Sequence, residues 1–235
     1  MATEAAPPTE PTPATNTSAL STNEAPTSSI TGTTAPTWPS LPESHPLTTF
    51  AEKLPSLLSE AAHSEVYGID LATASPFHRN LILQKSLRAN ANDVSKASAQ
   101  LLSTLKWRKS FNPSALVDET FSAKRFGGLG YVTTLENVPG SENERDVVTF
   151  NIYGAVKDNR ATFGDLDGFM KWRVALMELT LAKLELGKAK EPIPDFGHGP
   201  DPYQCFQVHD YLNVSFLRQD PSAKAAAQKA IETFQ

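Results

Sequence analysis

His209, Asp210 and Tyr211 stand together in Cys205–Phe216, CFQVHDYLNVSF, a run otherwise rich in Phe, Val and Leu. Side chains alternate along an extended chain. His209 and Tyr211 therefore share one face with Gln207, Asn213 and Ser215, and Asp210 shares the other with Phe206, Val208, Leu212, Val214 and Phe216. An imidazole and a phenol on one face can exchange a proton or face a metal, whereas a carboxylate on the apolar face is expected to make a structural hydrogen bond. The stretch DVVTFNIYG repeats the design, with Val148, Phe150 and Ile152 on one side and Thr149, Asn151 and Tyr153 on the other. A polar face ordinarily meets water. Parallel strands are usually covered on both faces, however, and a covered polar face needs partners or a ligand.

Arg173 adds a cation. It has Phe169 four residues before it, Leu176 three after and Met177 four after, so on a helix its guanidinium emerges among apolar side chains. A snorkelling arginine or a structural ion pair is the simpler account. The sharper one is an arginine held against a ligand carboxylate, a phosphate or a tyrosinate. Tyr, His and Arg together in apolar surroundings suit ferric haem. A phenol with a pKa of about 10 ligates as phenolate only where metal and nearby positive charge stabilise that form.

Other signals are weaker. FGGLG at Phe126–Gly130 leads into a strand instead of opening a helix, and reads as a turn or bulge. KWRK at Lys106–Lys109 could meet anionic lipid, but a solvated helix face is the commoner use. Cys205, the only cysteine, excludes an internal disulfide and covalent haem attachment, and reads as inert core. His45, His63, His78 and His198 lack metal-ligand spacing, and no Ser/His/Asp, paired-carboxylate or zinc pattern stands out.

The elements that must position these residues follow from period and punctuation. Residues 1–46 hold nine of the 18 prolines and 17 Ser or Thr, with no Lys or Arg before Lys53, the composition of a disordered tail. Its four Glu account for most of the net charge of −5, leaving −1 on the remainder, which argues against nucleic acid as a partner. No run approaches the ~18 apolar residues of a spanning helix and no signal peptide opens the chain, so a cytoplasmic protein is expected, touching membranes only peripherally. The sequons at Asn16 and Asn213 are then silent. Three helical stretches follow, the first, LTTFAEKLPSLLSEAA, interrupted at Pro55. LGYVTTL and DVVTFNIYG read as strands joined by a solvent loop. A long helix from Asp165 is expected to bury one stripe, Met170, Val174, Met177, Leu181 and Leu184. A Pro- and Gly-rich loop precedes the CFQVHDYLNVSF strand, and a last helix has Asp220 as N-cap and Pro221 at N1. Strand, helix, strand and helix in this order predict an α/β fold behind a small all-helical N-terminal lobe. The boundaries are 1–46 for the tail, 47–115 for the helical lobe and 116–235 for the α/β lobe. Because its linking helix packs on one sheet face, the pattern leaves open whether Arg173 and Tyr211 meet.

SLRANANDVSKASAQLLSTLKWRKSFNP, VTFNIYG, FMKWRVALMEL and QVHDYLNVSFLRQDPSAKAAAQKAIETF together resemble the CRAL-TRIO lipid-binding family, over roughly residues 50–235. The likeness is to its fungal branch of non-classical phosphatidylinositol transfer proteins that also bind haem b. His-Asp-Tyr followed by Asn-Val-Ser is the more branch-specific part. The resemblance implies a helical lobe followed by a CRAL-TRIO α/β/α lobe. It implies phosphatidylinositol transfer, a part in phosphoinositide homeostasis, and peripheral association with the endoplasmic reticulum. It also implies haem b, with Tyr211 as axial iron ligand and His209, Arg173 and Tyr153 as further haem contacts. The family continues past the segment matching IETFQ, so the α/β lobe is expected to be incomplete. A lipid carrier is not an enzyme; a haem peroxidase or catalase, or an interaction module, are the alternatives.

Overall fold

The structure is a computed structural model, which describes residues 35–141, 143–214 and 220–234. Helix α1 (Pro46–Ala61) begins where His45 Nδ1 accepts the Leu47 N–H at 3.1 Å, with Pro46 preset for the first turn. It does not break at Pro55. The helix runs straight through, because the proline ring lies on the exposed side while Phe50, Leu54 and Ala61 face inward. A two-residue-per-strand hairpin follows, β1 (Glu65–Val66) and β2 (Ile69–Asp70), turned by Tyr67 and Gly68, both at positive φ. Ser75 caps α2 (Pro76–Ala89) and Asp93 caps α3 (Val94–Phe111), which ends on a left-handed Asn112. These helices enclose one core around Phe50, Phe77, Leu81 and Leu105, against which Trp38 and Leu41 also pack. Leu186, Ala189 and Ile193, from a later stretch of chain, complete it.

Beyond a 3-10 segment (Pro113–Asp118) and the short α4 (Ala123–Phe126), the chain enters a three-stranded sheet. In FGGLG, Gly127 ends α4, Gly128 turns at φ +76° and Gly130 opens the strand, packed so closely on Trp172 and Leu176 that a Cβ would meet Leu176 at 2.5 Å. Strands β3 (Gly130–Glu136) and β4 (Arg145–Ile152) are antiparallel, and β4 pairs in parallel with β5 (Cys205–Asp210). Between β4 and β5 come α5 (Asn159–Phe163) and the long α6 (Leu166–Leu184), the latter N-capped by Asp165. After β5 comes α7 (Pro221–Phe234), with Asp220 Oδ1 accepting the N–H groups of Ser222 and Ala223.

Helix α6 is buried on nearly every side, with Trp172 to Leu176 all inside, and not along one stripe. Met177, Leu181 and Leu184 are only half-buried. The reason is that α6 lies between the sheet and the 3-10 segment, where Val174 and Ala175 meet Leu116. The hydroxyls of Thr149 on β4 and Thr180 on α6 join helix to sheet, and Thr180 also donates to the Leu176 carbonyl at 2.8 Å. The register puts Thr149 beside Gln207 and Asn151 beside His209, so the covered face of the sheet is the polar one. The opposite face carries Tyr131, Phe150 and Val208 in one row and Val148 and Phe206 in the next, and there Tyr131, Phe206 and Val208 are exposed.

Among the described residues no helix is long and apolar enough to cross a membrane.

Candidate functional site

Because α6 packs on the polar sheet face, Arg173 and the tyrosine-bearing face meet. Tyr153 directly follows β4, and Tyr211 directly follows β5. The strand expected to run to Phe216 ends at Asp210, since Asp210 Oδ1 accepts the Leu212 N–H at 2.8 Å and the Val214 N–H returns to the Tyr211 carbonyl. Asn213 closes this turn at φ +66°. Asp210 thus makes the structural hydrogen bond expected of it; Ser215 and Phe216 lie outside the described residues. The turn comes hard against Gly154, where a Cβ would meet the Leu212 carbonyl oxygen at 2.2 Å. Only a glycine admits that approach.

The result is a cavity of about 550 Å³ with Tyr153, Arg173, His209 and Tyr211 all on its lining. Tyr153 stacks on Tyr211 with centroids 5.5 Å apart, and the His209 ring is 5.9 Å from Tyr153 and 6.1 Å from Tyr211. The Tyr211 hydroxyl is 3.5 Å from His209 Nδ1, the outer limit of a hydrogen bond. Arg173, 4% exposed, forms the buried end, and Tyr211, 44% exposed, the open one. Facing them is an apolar wall from Phe163, Phe169 and one side of α7, where Ala223, Ala226, Ala227 and Ala230 leave a shallow surface.

Electrostatics grade the polar side. Burial pushes the Tyr153 phenol up from its ordinary value, and the charge and hydrogen bond of Arg173 work against that rise. His209 is held below the usual imidazole value, first by burial and second by the Arg173 charge, so it stands neutral near pH 7. A neutral imidazole beside a phenol can accept its proton, which is what phenolate ligation of a metal requires. Among the described residues no three His, Cys, Asp or Glu side chains converge. A bare ion needs three or four protein ligands; one phenol and one imidazole fit a metal that arrives in its own ligand frame.

All four site residues read from the sequence are therefore on one cavity. The sequence reading missed Gly154, whose neighbours in space come from a turn far along the chain, and the whole α7 wall. The alanine spacing at 223, 226, 227 and 230 was the available signal for that wall, though a small-residue face carries no chemistry of its own. Cys205 is half-buried at the far end of β5 and its thiol is pushed up by burial, as befits an inert side chain. His45 bridges the α1 N-terminus to Asp195, with Nε2 2.9 Å from the carboxylate, a structural role.

Among curated proteins, the chain is 59% identical over 200 residues to a phosphatidylinositol transfer protein SFH5 of Phaeosphaeria nodorum, covering 85% of this chain and 60% of that protein. It is 50% identical to the corresponding Sclerotinia sclerotiorum protein, over 80% of this chain and 45% of that one. To a phosphatidylinositol transfer protein SFH5 of Cryptococcus neoformans it is 48% identical, over 83% and 66%. The chain thus spans between about half and two thirds of the length of these relatives. The crystal structure of Sfh5 superposes with a TM-score of 0.65 at 24% identity, over 82% of this chain and 65% of that one, so the two share a fold of mixed helix and sheet. No family model matches the chain.

Proposed function

We propose that this chain serves in phosphatidylinositol transfer as a CRAL-TRIO protein, with the cavity between the polar sheet face and α7 as its ligand site. The observation that carries this reading is the cavity itself, polar around Tyr153, Arg173, His209 and Tyr211 and apolar along α7, a lining suited to an amphiphile. The names of its relatives support phosphatidylinositol as the lipid. The protein acts as a carrier and not as a catalyst, meets membranes peripherally, at the endoplasmic reticulum, and contributes to phosphoinositide homeostasis from the cytoplasm.

The same cavity takes haem b in this reading. The donor set supports it: Tyr211 would hold the iron through its phenolate oxygen, His209 beside it would take the phenolic proton, and Arg173 and Tyr153 would line the site from the buried end. When bound, the haem supplies an iron centre whose electron demand favours the phenolate form.

The test is movement of labelled phosphatidylinositol between vesicles. Wild-type protein should accelerate it, and Ala227→Trp, which fills the cavity from a solvent-exposed helix position, should abolish the acceleration without unfolding the chain. A wild-type rate no greater than that of vesicles alone would remove the lipid-transfer reading.

A further inference from the structure

Among the described residues, three charged side chains line the cavity: Arg173, Asp220 and Lys224. Their circumstances differ. Arg173 lies at the buried end against Tyr153. Asp220 is occupied with the start of α7, its Oδ1 accepting the Ser222 N–H at 2.8 Å and the Ala223 N–H at 3.4 Å. Lys224, four residues on, is exposed at the cavity mouth and forms no ion pair or side-chain hydrogen bond among the described residues, although Lys229 on the same helix pairs with Glu232.

Helix stability does not explain a lysine at this position. A cation in the second turn sits near the positive end of the helix dipole, where a carboxylate is favoured and an ammonium is not. Nor does core packing explain it, for the side chain is exposed. Position relative to the cavity does: Lys224 shares the lining with Arg173, the aromatic rings and the alanine surface of its own helix.

We infer that Lys224 is a ligand-binding residue of this cavity, holding an anionic oxygen group, carboxylate or phosphate, at the solvent end of an amphiphile whose apolar body lies along α7. The inference rests on the reading of the cavity as a ligand site. It adds a specificity-determining residue and an orientation: the bound molecule has its anionic group at the mouth of the cavity, near the N-terminal end of α7.

The test uses the 235-residue chain with Lys224→Met and Lys224→Arg, titrated by quenching of tryptophan fluorescence with haemin and with haemin dimethyl ester. In parallel, phosphatidylinositol transfer between vesicles is measured. Loss of one charge-assisted hydrogen bond predicts that Lys224→Met weakens haemin binding about tenfold, leaves the diester unchanged, and is rescued by Lys224→Arg. A tenfold loss for haemin alone identifies the group as a carboxylate; a comparable loss in lipid transfer alone identifies it as a phosphate. If wild-type protein binds haemin or transfers lipid and Lys224→Met does both equally well, the assignment of Lys224 is overturned while the cavity reading stands. If wild-type protein does neither, both are overturned.

Discussion

The ring of Tyr153 stacks on that of Tyr211, centroids 5.5 Å apart and planes 26° from parallel. Each follows the last residue of its own parallel strand, and the long α6 crossover separates them in sequence. Their contact depends on Gly154, whose missing side chain lets the turn after β5 close on the end of β4.

Gly154→Ala should therefore break the site from a position that bears no chemistry. A methyl group 2.2 Å from a backbone carbonyl oxygen cannot be accommodated by rotating a side chain, so the turn carrying Tyr211 must move. A stability loss of about 1–3 kcal/mol is expected, the usual cost of overpacking, with weakened ligand binding. Urea denaturation and ligand titration on the same samples measure the two. Unchanged binding would show that the turn is not held where Gly154 puts it.

His209 should titrate below the free imidazole value of about 6.5. The folded chain then binds its proton at lower pH than the unfolded chain does. The stability that neutral His209 contributes is complete above the unfolded value and is drawn off as pH falls through 6.5 towards the folded value. Proton NMR of the ring should give the low midpoint, and Arg173→Met should raise it only partway, because burial is the larger cause. A midpoint at or above 6.5 in the wild-type protein would contradict this.

Arg108, 1% exposed, joins three elements that local pattern alone does not connect. It makes two hydrogen bonds with Glu65 on β1, both at 2.9 Å, and two with Glu178 on α6, at 2.8 and 2.9 Å. Arg108→Met strands the buried Glu178 carboxylate and should cost about 3–5 kcal/mol. Adding Glu178→Leu should recover most of that, since Glu65 still reaches solvent. The comparison is a double-mutant cycle by urea denaturation; purely additive losses would mean that the pair is not coupled.

The order of elements and the parity of Tyr153, His209 and Tyr211 were legible because both rest on local period and punctuation. Which sheet face is covered was not. Polar Thr149 and Asn151 are buried because Thr180, Leu176 and Arg173 belong to the helix face turned towards them, while Tyr131, Phe206 and Val208 stay exposed. The β1–β2 hairpin escaped notice because two residues per strand leave no alternation to read; only Tyr67–Gly68 marks the turn. Pro55 misled for a related reason, since a proline on the exposed side costs one hydrogen bond without ending a helix whose other face is well packed.

The proposal that Tyr211 carries a metal in this cavity is tested most directly by the absorption spectrum of the protein after addition of haemin, taken for wild type and Tyr211→Phe. At 44% exposure Tyr211 contributes little to the core, so the variant should fold as wild type does. The account predicts a Soret band for bound ferric haem in the wild-type protein, with the phenolate-ligated form lost in Tyr211→Phe. Identical spectra from the two proteins, or no binding by the wild type, would contradict it.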